Sequence, residues 1–78
     1  MKADRTLDCM GLYCPMPIIK TTREIEQLKT GEVLEVIADD KGIKVDMPAW
    51  CKTTGHEFLG MEEHDDEIRV YVKKTGGA

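Results

Sequence analysis

The six residues VLEVIA, Val33 to Ala38, constrain this chain more than any other stretch. Apart from Glu35 the run is apolar on both faces. A strand of that kind sits centrally in its sheet rather than at an edge. Asp39-Asp40-Lys41-Gly42 closes it with turn chemistry. Everything before and after it must therefore supply neighbouring strands and a covering layer.

The flanking sequence supplies both. Arg5 to Cys9 alternates as a short strand, with Leu7 and Cys9 on one face and Thr6 and Asp8 on the other. From Pro15 to Lys29 the period becomes helical. Ile18, Thr22, Ile25 and Lys29 align there, Ile19 and Leu28 widen the stripe, and Lys20, Arg23, Glu24 and Glu26 point outward. Gly31 follows where a helix favours an unhindered left-handed residue. After VLEVIA a second helix is expected, in one or two pieces, with Asp46 as N-cap and Pro48 in its first turn. Ile43, Met47, Trp50 and Cys51 share one face of it, and Gly55 stops it. His56 to Glu63 and Glu67 to Lys73 then read as an antiparallel hairpin turning at Asp65-Asp66.

The order is β-α-β-α-β-β. Two helices cover one face of a sheet most economically, so the expected fold class is α+β. It is a two-layer α/β sandwich, with a four-stranded mixed sheet and both helices on one face. A chain of 78 residues is one domain, 1–78, with its core over about 5–74 and a frayed tail at 75–78.

Charge narrows the function classes. A net charge of −4 argues against direct nucleic-acid binding. The acid gathers at Glu57, Glu62, Glu63, Asp65, Asp66 and Glu67, which reads as a solvated hairpin tip or as an acidic patch for a basic partner. No apolar run is long enough to span a bilayer, and the first residues lack the apolar stretch of a secretory signal, so membrane insertion is not expected and the cytoplasm is.

Three cysteines in such a chain do not read as a disulfide framework. With no C-x-x-C, no metal is expected, although Cys9, Cys14, Cys51 and His56 together form a conceivable mixed set. Cys9 and Cys51 lie on apolar faces and read first as small core residues, Cys51 second as a further redox-active thiol. His56 reads as an exposed or capping histidine before a base, and Asp46 as an N-cap before an acid at a site.

Cys14 is different, because it opens the tetrapeptide CPMP. Pro15 at the first helical position presets φ and restricts the residue before it, which places Cys14 at about the N-cap, beside the positive end of a helix. That end stabilises an anion by ~0.3–1 kcal/mol when exposed and up to ~2 when partly buried, at most a modest lowering of a thiol pKa. The two prolines also leave only the Met16 and Ile18 N–H groups as donors, so they rigidify more than they acidify. A fixed thiol without an adjacent histidine base suits sulfur transfer better than hydrolysis.

LDCMGLYCPMP, LKTGEVLEV, ADD and DMPAWCKTTGHEF, followed by the hairpin, resemble the TusA/SirA/YedF family of small sulfur carriers over about Leu7 to Lys73. The resemblance implies a βαβαββ sandwich and a catalytic Cys14 that carries sulfane sulfur as a covalent persulfide, with no other cofactor. It also implies a sulfurtransferase that takes sulfur from a donor protein, a cysteine desulfurase or rhodanese, and passes it to an acceptor protein. Destinations in the family include tRNA thiolation, sulfur oxidation and cofactor biosynthesis. Gly11, Pro15, Pro17, Arg23 and Asp46 carry over as supporting residues, and Cys51 as a possible second thiol. Lys41 departs from the proline the family often has after ADD. A non-catalytic interaction or regulatory module, and a thiol-disulfide module pairing Cys14 with Cys9 or Cys51, are the alternative readings.

Overall fold

The computed structural model describes residues 2–13 and 15–75. Its elements run β1 (Arg5–Cys9), α1 (Met16–Ile25), β2 (Val33–Ala38), α2 (Ile43–Thr54), β3 (Glu57–His64) and β4 (Glu67–Lys73), the expected order. The strands form one mixed sheet in the order β1-β2-β4-β3. VLEVIA is indeed central: β2 pairs in parallel with β1 and antiparallel with β4.

The register sorts the side chains into two faces. Leu7, Val36 and Val70 lie in one cross-strand row and Cys9, Ala38 and Ile68 in the next. This face meets Ile25 and Leu28 from the α1 side and Ile43, Met47 and Cys51 from α2, which together close the core. The opposite face carries the row Thr6, Glu35 and Tyr71. Glu35 is nearly buried there, yet it is well partnered. It accepts hydrogen bonds from Thr6 Oγ1 (2.9 Å) and Tyr71 OH (2.7 Å), with Arg69 Nη1 at 3.5 Å. The one polar residue of VLEVIA is thus the hub of the sheet's outer face.

Both helices run back along the strands that precede them, so their N-termini lie together at the C-terminal ends of β1 and β2. Trp50 Nε1 donates to Thr22 Oγ1 (3.0 Å), locking the helices side by side at the same level.

Several local expectations are corrected. The α1 helix begins at Met16, with Pro15 as its N-cap rather than its first residue, and ends at Ile25 instead of Lys29. Its buried stripe is Pro17, Thr21 and Ile25, one position away from the expected one, and Ile19 and Thr22 are exposed. Thr21 can be buried because its hydroxyl donates to the Pro17 carbonyl (2.7 Å). The second helix is one piece starting at Ile43, with Gly42 as N-cap, so Asp46 lies within the first turn and does not cap it. Asp40 does the local work instead, its Oδ1 accepting from the Gly42 N–H (3.0 Å) and its carbonyl from the Ile43 N–H (3.1 Å). Pro48 consequently falls inside the helix, not in its first turn. The third strand starts at Glu57, leaving His56 outside it.

Candidate functional site

Cys14 itself lies outside the described residues, so the site is built from its flanks. The connection from β1 is tied down at each step. Asp8 Oδ1 accepts from the Met10 N–H (2.9 Å), and the Cys9 carbonyl accepts from the Leu12 N–H (3.2 Å). Gly11 adopts φ +80°, a left-handed conformation that favours glycine, and its N–H donates to Asp39 Oδ1 (3.1 Å) at the end of β2. Leu12 packs against the core, while Tyr13 is 75% exposed.

On the helix side the two prolines differ. Pro17 is fully buried, whereas Pro15 is exposed. The Met16 N–H donates to the Tyr13 carbonyl (2.8 Å), and the Ile18 and Ile19 N–H groups donate to the Pro15 carbonyl (3.1 and 3.0 Å). Since Pro15 and Pro17 have no N–H, every backbone donor from Pro15 to Ile19 is either absent or engaged. The Met16 and Ile18 donors are therefore already in use within the backbone, which goes further than the sequence reading.

The structure brings Gly11, Pro15, Pro17 and Asp46 to the same end of the sandwich. Arg23 is not among them. It stands seven residues along α1 from Met16, roughly 10 Å down the axis, on an exposed flank beside β1.

The other two thiols are core residues. Cys9 is fully buried at the end of β1; burial pushes its pKa up, against the nearby Lys20 charge. Cys51 is buried on α2 between the helices and the sheet, and burial pushes it up to about 11. No group of three or more His, Cys, Asp or Glu side chains suited to a metal ion occurs among the described residues.

His56 sits at the opposite end of the helices from the Pro15 turn. It is buried, stacked on Trp50 at 5.3 Å, and its Nδ1 accepts from the Thr75 N–H (3.2 Å). That bond assigns its proton to Nε2. Burial and then Lys74 lower its pKa, so it is a neutral structural histidine.

Sequence reasoning missed a second stripe on α1. Met16, Ile19, Lys20 and Arg23 have i, i+3, i+4, i+7 spacing, and with Leu7 and Glu24 they line a groove of about 490 Å³. The spacing was the available signal. Counting Ile19 as core concealed it.

A βαβαββ sandwich with a cysteine placed before a proline-started helix at the helix-terminal end defines a class of small thiol-bearing domains. The chain belongs to the TusA family: the profile described as Sulfurtransferase TusA matches residues 5–74. It is 51% identical over 76 residues to YrkF of Bacillus subtilis, covering 97% of this chain but 41% of that protein. To YrkI of the same organism it is 43% identical over 74 residues, covering 95% of this chain and 99% of the relative. The sulfur carrier protein TusA of Pseudomonas entomophila is 38% identical over 71 residues, covering 91% and 89%. The chain thus spans under half the length of YrkF and nearly all of YrkI. In fold it superposes on a SirA-like protein of Desulfitobacterium hafniense with a TM-score of 0.79 at 22% identity, covering 91% of this chain and 97% of that one.

Proposed function

We propose that this chain is a sulfurtransferase of the carrier type, in which Cys14 accepts sulfane sulfur as a persulfide and delivers it to an acceptor protein. The observation that carries the reading is the fate of the other thiols. Cys9 and Cys51 are buried with raised pKa values, so within a family of sulfur carriers Cys14 is the thiol left to do the chemistry. The same burial disfavours a thiol-disulfide module.

The chemistry is an exchange at sulfur with no net change in oxidation. The Cys14 thiolate attacks the outer sulfur of a donor persulfide, the donor S–S bond breaks, and the donor leaves as a thiolate. Delivery repeats the step with the acceptor as nucleophile. A cysteine desulfurase or rhodanese is the donor class. Such exchange needs reduced thiols, which fits a cytoplasmic setting. Among the described residues no helix is long and apolar enough to cross a membrane.

Incubation with a desulfurase and cysteine, or with a rhodanese and thiosulfate, should add the mass of one sulfur atom. Cys14→Ser should abolish the gain, while Cys9→Ser and Cys51→Ser keep most of it. Normal loading of Cys14→Ser would overturn the assignment.

A further inference from the structure

The β1 strand is an edge of the sheet, and its free side is usable. The Lys74 N–H donates to the Glu32 carbonyl (2.9 Å), so by alternation Leu34 and Val36 turn their backbone groups toward β4 and Val33, Glu35 and Ile37 turn theirs toward β1, where the parallel register joins them to Arg5, Leu7 and Cys9. Thr6 and Asp8 therefore turn theirs outward. Over this edge hangs the exposed α1 stripe, with Met16 42% and Ile19 41% exposed, followed by Lys20 and Arg23. Among the described residues no carboxylate pairs with Lys20 or Arg23, and Glu24 is already held by Arg5 Nε (2.5 Å).

The other edge is guarded. The β3 strand carries an irregularity between Phe58 and Gly60, and Glu57, Glu62 and Glu63 lie along it, the usual protection against strand addition. The β1 edge has no such irregularity in its pairing.

From this we infer that the free edge of β1 receives an extended segment of a partner protein, which adds to the sheet beneath α1 and carries apolar side chains flanked by carboxylates. The backbone of the segment pairs with Thr6 and Asp8. Its helix-facing apolar side chain packs on Leu7, Met16 and Ile19, and a carboxylate about two residues along meets Arg23 and Lys20. An acidic segment fits better than a second copy of this chain, because pairing two β1 edges brings one copy's Lys20 and Arg23 toward the other's. This deepens the carrier reading and rests on it for the partner's role, since the groove begins at the first turn of α1, beside position 14.

The test uses the full chain labelled with ¹⁵N and two blocked hexapeptides, Thr-Val-Thr-Glu-Thr-Glu and the same peptide with lysine for each glutamate, so that the valine and the charges share one face. The glutamate peptide should slow amide exchange at Thr6 and Asp8 roughly tenfold once it stands about tenfold above its dissociation constant, and the lysine peptide should not. In Lys20→Glu/Arg23→Glu, with an unchanged thermal melt, the preference between the peptides should reverse. The inference is overturned by equal effects of both peptides, by protection at β3 or on the Glu35 face instead, or by peptide-independent protection of β1 that grows with protein concentration, which marks a second copy as the occupant. No sulfur enters this measurement. Persulfide loading can therefore fail while the edge still binds, and the reverse.

Discussion

Glu35 shows how one residue's environment becomes a measurable property. Burial would raise its pKa, but hydrogen bonds from Tyr71 and Thr6 and the charge of Arg69 outweigh burial, so the carboxyl is held below its ordinary value. The same contact, with burial behind it, pushes Tyr71 up to about 12. Tyr71→Phe removes the shortest of these bonds and leaves a buried carboxylate under-partnered. It should cost ~1–3 kcal/mol by urea denaturation at pH 7. A loss below about 0.3 kcal/mol, within the scatter of surface substitutions, would contradict this account. The thiols give a second residue-scale prediction. Cys9 and Cys51 should resist an aromatic disulfide reagent at pH 7.5 until denaturant is added, and their rapid reaction in the native protein would contradict the burial described.

At the level of the element, the two prolines of CPMP have separate roles. Pro17 fills core space and Pro15 does not. Pro17→Ala should therefore cost ~1–3 kcal/mol, a cavity plus lost preorganisation, whereas Pro15→Ala should cost only the ~0.4–1 kcal/mol of backbone entropy. Equal melting temperatures for the two variants would contradict the distinction. A further prediction concerns the end of α2, where Gly55 holds φ +89° and its N–H donates to the Cys51 carbonyl (2.8 Å). Gly55→Ala should cost about 1 kcal/mol, read from the same melts. Element order was legible in the sequence because the change of period from two to 3.6 is strong in every segment. The buried face of α1 was not, because Pro17 and Thr21 do not count as apolar. They are buried because one lacks an N–H and the other satisfies its hydroxyl on the first one's carbonyl. The α2 cap was misread for a related reason. A proline two residues after an aspartate imitates a helix start, yet Asp40 starts this helix and Pro48 is carried inside it. Of the candidate site, CPMP and Gly11 were readable locally. The groove needed to be seen against the β1 edge, a relation between residues 7 and 23 that no local pattern contains.

For the molecule as a whole, His56 and Glu35 set the response to acid. The folded pKa of His56 lies below its ordinary value of 6.5, so above 6.5 both the folded and unfolded states are neutral there. As pH falls below 6.5 the unfolded chain takes up a proton that the fold resists, and stability is lost. Glu35, also depressed, contributes stability above the ordinary carboxylate range that disappears as pH falls through its lowered folded value. Unfolding free energy should therefore decline in two stages between pH 7.5 and 3, and His56→Gln should remove the first stage alone. A wild-type curve flat from pH 7 to 5 would contradict this. The start of α1 has a consequence of another kind. Among the described residues from Pro15 to Ile19 the backbone donors are absent or engaged, so these residues offer no ready cradle of N–H groups to clasp an anion. A courier benefits from that: cargo that is presented but not gripped can be handed on without first being pried loose.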